Sequence, residues 1–244
     1  MNIKPTKAVI LAAGKGTRMG SLTQTLPKPM VEVQGKPILE YILTGLRDHA
    51  GIKDFFIITG YCAEVVENYF QDGSKFDIRC TYGRQIEQNG TGKAPEIAAS
   101  WVGSDAFFLS YGDILIHTPE YGNMCNTFHS DGLISVKMGE KISLGGAVVF
   151  DEQFYLKDLI EKAAPGTVDT PWYNAGIYIF TPKIYRYTAQ LKLSARNEYE
   201  LTDAIRAMAQ DGLKIQGYEI QKNWVDVRDP EVLSQLNQKT APAA

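Results

Sequence analysis

Cysteine is scarce in this chain: Cys62, Cys80 and Cys125 are all it has in 244 residues. They form no C-x-x-C pair and cannot all pair with one another, which excludes a complete disulfide framework. A reduced, cytoplasmic chain is the expectation, with the cysteines serving as small buried hydrophobes. Long apolar runs are also lacking. The opening MNIKPTKAVILAAG carries too short a run for a secretion signal. No stretch approaches the ~18 apolar residues of a membrane span, so no membrane partner is expected. Charge of one sign is missing as well: Lys+Arg 25 against Asp+Glu 28 leave a net −3. The chain thus lacks the bulk electrostatic footprint of a nucleic-acid binder. Finally, His49, His117 and His129 stand in no triad or metal spacing.

What is present is an ordinary globular composition, 44% hydrophobic and 22% charged. A chain of this length buries roughly 70–75% of its unfolded surface, so its core needs no disulfide or metal. Lys7–Ala13 (KAVILAA) reads as a buried strand stopping at Gly14, and ILEYILTGLRDHAG after Pro37 as an amphipathic helix stopped by Gly51. Strands follow at Asp54–Gly60, Ile78–Tyr82 and Phe107–Tyr111, with helices at Glu64–Phe70 and Ala94–Val102. Such alternation predicts an α/β fold whose open, mostly parallel sheet is covered on both faces. Beyond Asp131, LISVKM, GGAVVF and AGIYIF are strands with fewer intervening helices, which predicts an antiparallel or mixed extension. Helices are expected within Glu198–Gln210 and after the Asp229-Pro230 cap. Without linker or repeat, residues 1–238 read as one domain of two sub-regions, 1–131 and 132–238, followed by a loose tail at 239–244.

The first strand runs into Gly14-Lys15-Gly16-Thr17-Arg18-Met19-Gly20. Glycines there permit a tight turn that brings backbone N–H groups to an anion, and Lys15 and Arg18 add positive charge. The loop is neither the dinucleotide fingerprint, whose third glycine is replaced by Met19, nor a Walker loop. A plain strand-to-helix turn is the other reading; the cations and the Thr17 hydroxyl favour phosphate. Leu26-Pro27-Lys28-Pro29-Met30 follows, and prolines on both sides present the Lys28 ammonium from a stiff segment. A solvated turn lysine would look the same in isolation. Beside a phosphate loop, a pre-positioned cation is what phosphoryl chemistry needs.

Together, LAAGKGTRM at Leu11–Met19 and LPKPM at Leu26–Met30 resemble the sugar-phosphate nucleotidyltransferase family. These enzymes join a nucleoside triphosphate to a sugar 1-phosphate and release pyrophosphate. The resemblance implies the nucleotide-diphospho-sugar transferase fold: a Rossmann-like, mostly parallel or mixed sheet flanked by helices, with a mixed or antiparallel sugar-binding extension. It places Leu11, Ala13, Gly14, Lys15, Gly16 and Thr17 around the nucleotide, with Arg18 and Lys28 as catalytic cations. Gln85-Ile-Glu-Gln-Asn-Gly-Thr-Gly looks like the Q-x-E-Q-x-G-T-G base-reading segment, which puts Gln85 and Gly90 on a pyrimidine edge and Thr91 beside them. Tyr111-Gly112-Asp113 resembles Y-G-D, whose aspartate binds magnesium, and Trp224-Val225-Asp226 the W-x-D segment with the second ligand. Gly112, Gly146, Glu161, Lys162 and Asn174 are implied on the sugar-phosphate side. Read without the family, Glu161-Lys162 and Asn174 are equally an exposed pair and a turn amide. Trp172, Tyr173 and Trp224 read as core or pocket wall. The chain departs from the family at Lys93, at Arg228, and over Ile114–Leu144, which matches nothing in it.

Asp113 and Asp226 each end an apolar, strand-like run. Two carboxylates suffice for Mg²⁺, which takes its other ligands from phosphate and water. The nucleophile, a sugar 1-phosphate oxygen, is already an anion, so no general base is required. UTP is favoured over dTTP as donor on the LAAG spelling and Gln85. The alternatives are CTP or GTP, another acceptor such as phosphocholine, a non-catalytic nucleotide-sugar-binding regulatory domain, and a dinucleotide oxidoreductase.

Overall fold

The computed structural model describes residues 4–164 and 166–238; the expected tail at 239–244 lies outside the described residues. In chain order the elements are β1 (Lys7–Leu11), β2 (Glu32–Val33), β3 (Lys36–Pro37), α1 (Ile38–Ala50), β4 (Asp54–Thr59), α2 (Ala63–Phe70) and β5 (Arg79–Arg84). Then come α3 (Ala99–Val102), β6 (Phe107–Tyr111), β7 (Ile114–Ile116), α4 (Pro119–Thr127), β8 (Gly132–Met138), β9 (Gly146–Phe150) and β10 (Leu156–Glu161). Last are β11 (Trp172–Phe180), α5 (Ile184–Thr188), α6 (Leu201–Gln210), β12 (Ile215–Glu219), β13 (Trp224–Asp226) and α7 (Pro230–Gln238).

β1 lies at the centre of a 9-stranded sheet, parallel to β4 on one side and β6 on the other. Ala8, Val9 and Ile10 are wholly buried, as a strand covered on both faces requires. α1 supplies one cover. It turns its Ile38, Leu39, Ile42, Leu43 and Leu46 stripe inward and ends at Gly51, whose left-handed φ of 71° lets its N–H reach the Arg47 carbonyl. Asp229 caps α7 as expected, accepting from the Val232 N–H at 2.9 Å.

The expected helix at Ala94–Val102 is instead a 3-10 stretch, Ala94–Ala98, followed by the single turn of α3. Gly103, at φ 65°, stops it there. The unmatched stretch Ile114–Leu144 contains β7, α4 and β8. Of the cysteines only Cys125 is buried; Cys62 and Cys80 are half-buried.

Strands from both sides of residue 131 share the one sheet, because β11 runs antiparallel to β6. β11 also decides where a cleft opens. On one edge it pairs with β8 along both halves, with a register shift between Asn174 and Tyr178. On its other edge the first half (Trp172, Tyr173) pairs with β9 and the second half (Ile177–Phe180) with β6. β9 and β6 therefore diverge at Asn174–Gly176 and leave a fork between them. Beyond the fork, β8 carries β12 in parallel pairing, and a bridge between Tyr155 and Gln216 returns β12 to the β9–β10 hairpin. Phe150, Phe154 and Trp172 pack against one another beside this bridge.

Gly176 sits in the fork at φ 78°, and a Cβ there would stand 2.7 Å from Cδ2 of Tyr111. Gly176→Ala is expected to lose about 1–3 kcal/mol of stability through backbone strain and that collision. A urea titration checks this.

Candidate active site

A cavity of about 480 Å³ opens beyond the carboxyl ends of β1 and β6, where ligands of open α/β sheets bind. Its walls are Leu11 and the glycine loop Ala13, Gly14, Lys15, Gly16, Thr17 and Arg18. Lys28, Gln85, Gly90, Thr91, Asp113 and Asp226 also line it. Gly112 lines this cavity and not the sugar-side one where the resemblance put it. Its N–H donates to the Leu11 carbonyl at 2.9 Å, which holds its backbone against β1. A second cavity of about 210 Å³ occupies the fork and is lined by Gly146, Glu161, Lys162 and Asn174. Arg18, Thr91, Tyr111, Asp113 and Asp226 border both, so the two are one cleft with a throat at the aspartates.

Local forces shape each wall. The glycine loop is stapled by the Thr23 hydroxyl donating to the Gly16 carbonyl at 2.9 Å and by Gln88 Nε2 donating to the Ala13 carbonyl at 2.9 Å. Met19, in place of the third fingerprint glycine, is a core anchor beneath the loop, 1% exposed. Gly16 has φ 67°, and a Cβ there would lie 2.6 Å from Cβ of Lys28. Only glycine lets the loop rest on the lysine stem. Pro27 precedes and Pro29 lies within a 3-10 turn, Lys28–Met30, that fixes the stem from the other side.

The Lys28 ammonium contacts Asp113 Oδ2 at 2.5 Å and lies 3.6 Å from Asp226 Oδ1. The aspartates reach this point by different routes. Asp113 follows β6 directly, at the carboxyl end of the parallel sheet. Asp226 comes from a separate two-stranded ribbon, β7–β13, in which it stands opposite Ile114. Trp224 anchors that ribbon by donating from Nε1 to the Ala175 carbonyl at 2.9 Å. Burial first, and then the Asp113 carboxylate, push the Asp226 carboxyl up to about 6; Lys28, Arg228 and Arg18 act in the opposite direction. The throat therefore holds two crowded carboxylates that need positive charge. Arg18 is exposed at the rim and makes no hydrogen bond or ion pair among the described residues.

On the fork side, Asn174 is buried; its Nδ2 donates to the Tyr178 hydroxyl at 2.7 Å and its Oδ1 accepts from the Gly176 N–H at 3.3 Å. Lys162 adopts a left-handed φ of 48°, unusual for a lysine, with its N–H on the Gly145 carbonyl at 2.7 Å. Tyr173 and Trp224 are pocket wall, whereas Trp172 packs against Phe150 and Phe154. Burial raises the Glu161 carboxyl, and Arg196, at 3.7 Å, opposes that rise. An acid whose folded pKa lies above its unfolded one binds protons more tightly when folded. Its contribution to stability therefore falls as pH rises through the interval between the two values. Glu161→Gln is expected to flatten that decline and raise the melting temperature at neutral pH, as thermal melts across pH would show.

Sequence reasoning missed several residues of the cleft. Gln88 was visible inside the Q-x-E-Q segment. Arg196, whose guanidinium also meets Glu200 at 2.8 Å, and the Glu198 side chain sit in a loop with no periodic signal. Tyr111 was quoted for its motif only, yet it walls both cavities and stacks edge-on against Tyr178 at 6.0 Å.

Comparison with known proteins agrees with this architecture. Residues 7–242 match the nucleotidyl transferase family. The low-salt glycan biosynthesis nucleotidyltransferase Agl11 of Haloferax volcanii is 32% identical over 95% of this chain and 65% of its own length. UTP–glucose-1-phosphate uridylyltransferase of Synechocystis sp. is 31% identical over 91% of this chain and 60% of its own length. This chain thus spans less than two thirds of either relative. A solved structure of UDP-glucose pyrophosphorylase complexed with UDP-glucose superposes with a TM-score of 0.87 at 23% identity, over 96% of this chain and 97% of that one. That last likeness is one of fold. The glycine loop, the paired aspartates and the fork in β11 belong to a chain of the nucleotidyl transferase family.

Proposed function

We propose that the protein transfers a nucleotidyl group from a nucleoside triphosphate, UTP in preference to dTTP, to a sugar 1-phosphate, releasing pyrophosphate. The observation that carries this is the throat: Arg18, Asp113 and Asp226, far apart in sequence, border both a nucleotide-sized cavity and a sugar-sized one, and the Lys28 ammonium sits on the two aspartates. An oxygen of the sugar 1-phosphate attacks the α-phosphorus in line. The bond from that phosphorus to the bridging oxygen breaks, and pyrophosphate carries the electron pair away. Lys28 offsets charge on the α-phosphate and Arg18 offsets charge on the leaving group. No base is needed, and His49, His117 and His129 are all exposed away from both cavities.

The oxygen-only donor pair at the throat suits a hard cation, so Asp113 and Asp226 would hold Mg²⁺. When bound, it supplies further charge neutralisation on phosphate oxygens. Gln85 donates from Nε2 to the Gly90 carbonyl at 2.9 Å, which orients its amide towards a pyrimidine edge. The relative named for UTP supports uridine. Glu161 and Asn174 face sugar hydroxyls, and Lys162 the sugar phosphate.

Purified protein offered each of four nucleoside triphosphates and a panel of sugar 1-phosphates is expected to release pyrophosphate fastest with UTP and a hexose 1-phosphate. A chelator should stop the reaction and added Mg²⁺ restore it. Absence of pyrophosphate release from every pair would overturn the reading.

A further inference from the structure

Tyr173 walls the smaller cavity, and its hydroxyl makes no hydrogen bond among the described residues. The side chain is nonetheless held firmly. Its backbone on β11 is paired on both edges, to Lys137 of β8 and to Ala147 of β9. The ring stands edge-on to Trp224, centroids 5.5 Å apart, and Trp224 is itself anchored on the Ala175 carbonyl. At the far end of the ring the hydroxyl oxygen rests on Gly145, where an added Cβ would run into it.

Tyr173 is only 7% exposed, and a buried hydroxyl is expected to find a partner, because an unmade hydrogen bond forfeits its hydration. Other tyrosines of the fold do so: Tyr178 accepts from Asn174, Tyr187 donates to Asp211, and Tyr218 donates to Glu120. The Tyr185 hydroxyl is unpartnered too, but it is sealed and lines neither cavity of the cleft. That of Tyr173 is not sealed and meets the cavity beside Gly145. Gly145 leads into Gly146, which pairs with Glu161 across the β9–β10 hairpin, and Asn174 follows Tyr173 in β11. The hydroxyl therefore shares a wall with the two side chains proposed to face the sugar. A phenol is a neutral donor and acceptor, matched to an alcohol in a way that the cations of the throat are not.

We propose that the Tyr173 hydroxyl hydrogen-bonds one hydroxyl of the acceptor sugar and so helps decide which hexose 1-phosphate the fork accepts. This rests on the transfer reaction proposed above. A site built to bond a hydroxyl rejects the analogue lacking it, because its own polar group is then left bare.

Tyr173→Phe removes the oxygen and keeps the ring. The probes are the hexose 1-phosphate that the wild-type protein turns over fastest, glucose 1-phosphate being tried first, and its monodeoxy analogues, one for each hydroxyl. Wild type is expected to lose about tenfold or more in kcat/KM on at least one analogue. Tyr173→Phe should lose a similar factor on the parent sugar phosphate, mainly through its KM, yet match wild type within about twofold on that one analogue and keep its deficit on the others, as a broken pairwise contact requires. The UTP KM should stay unchanged. Thermal melts should place Tyr173→Phe no lower than wild type, since no hydrogen bond within the protein is lost. A uniform loss on the parent and every analogue would show a contact to the phosphate or a merely structural ring, and would overturn the proposal. So would a Tyr173→Phe variant as fast as wild type on the parent, or one that melts well below it. A wild-type protein inert with every substrate pair would mark failure of the transfer reading instead; failure of this proposal shows only between variant and wild type of an active enzyme.

Discussion

Lys28→Ala is expected to slow turnover on the order of 10²–10³-fold, the usual cost of removing one pre-aligned charge from a site where charge develops. The Lys28 side chain is 13% exposed and its ammonium sits between the Asp113 and Asp226 carboxylates, at 2.5 and 3.6 Å. Its stem is clamped by Pro27 and Pro29 on one side and by the Gly16 backbone on the other. The loss should fall on kcat, since the α-phosphate gains charge demand chiefly in the transition state. Lys28→Arg should rescue little: a planar fork does not fit where a point charge meets two carboxylates. Initial rates of pyrophosphate release decide the matter, and a Lys28→Ala rate within tenfold of wild type would rule out the assigned role.

The second large effect concerns the aspartates. Asp113→Asn and Asp226→Asn are each expected to cost on the order of 10²–10³ in rate and to raise the Mg²⁺ concentration needed for half-maximal activity. The double variant should be little worse than either single, because groups that act as one unit are not additive. Their effects on stability should run the other way. Asp226 is lifted by burial and by its neighbour's charge, so the amide, isosteric and uncharged, relieves a native-state cost. Asp226→Asn should melt no lower than wild type at neutral pH, while Lys28→Ala, which strips the carboxylates of their counter-ion, should melt lower. Opposite signs in the two melts would not arise if the cluster were only a structural ion pair.

Much of this site is legible along the chain, for a local reason. The glycine loop and the Pro-Lys-Pro segment are conformational instructions: φ preferences and the absence of a Cβ act within a few residues, so the amino-acid order specifies them directly. The same holds for the end of α1 at Gly51 and the cap of α7 at Asp229. α4 was not legible. PEYGNMCNT is poor in strong helix formers, and it is helical because of what it packs against. A Cβ on Gly122 would meet the His49 carbonyl at 2.6 Å, and one on Gly45 would meet Thr118 at 2.7 Å. Close approach to α1 outweighs weak propensity. Arg196 escaped notice because it lies in a loop and its partner Glu161 comes from β10, a strand distant in sequence.

The sequence by itself determined the alternating βα core, the anion-ready loop after β1, the rigid presentation of Lys28 and the candidate acids, since each depends on short-range backbone preference or hydrophobic period. Tertiary structure alone decided that Asp226 arrives on a ribbon outside the main sheet, that β11 forks to open the smaller cavity, and that Arg228 lines the larger one. Those outcomes follow from strand pairing and burial between segments distant in the chain, β7 with β13 and β11 with β6. Pairing at such range is chosen by the whole packed core, not by any stretch of the chain read alone.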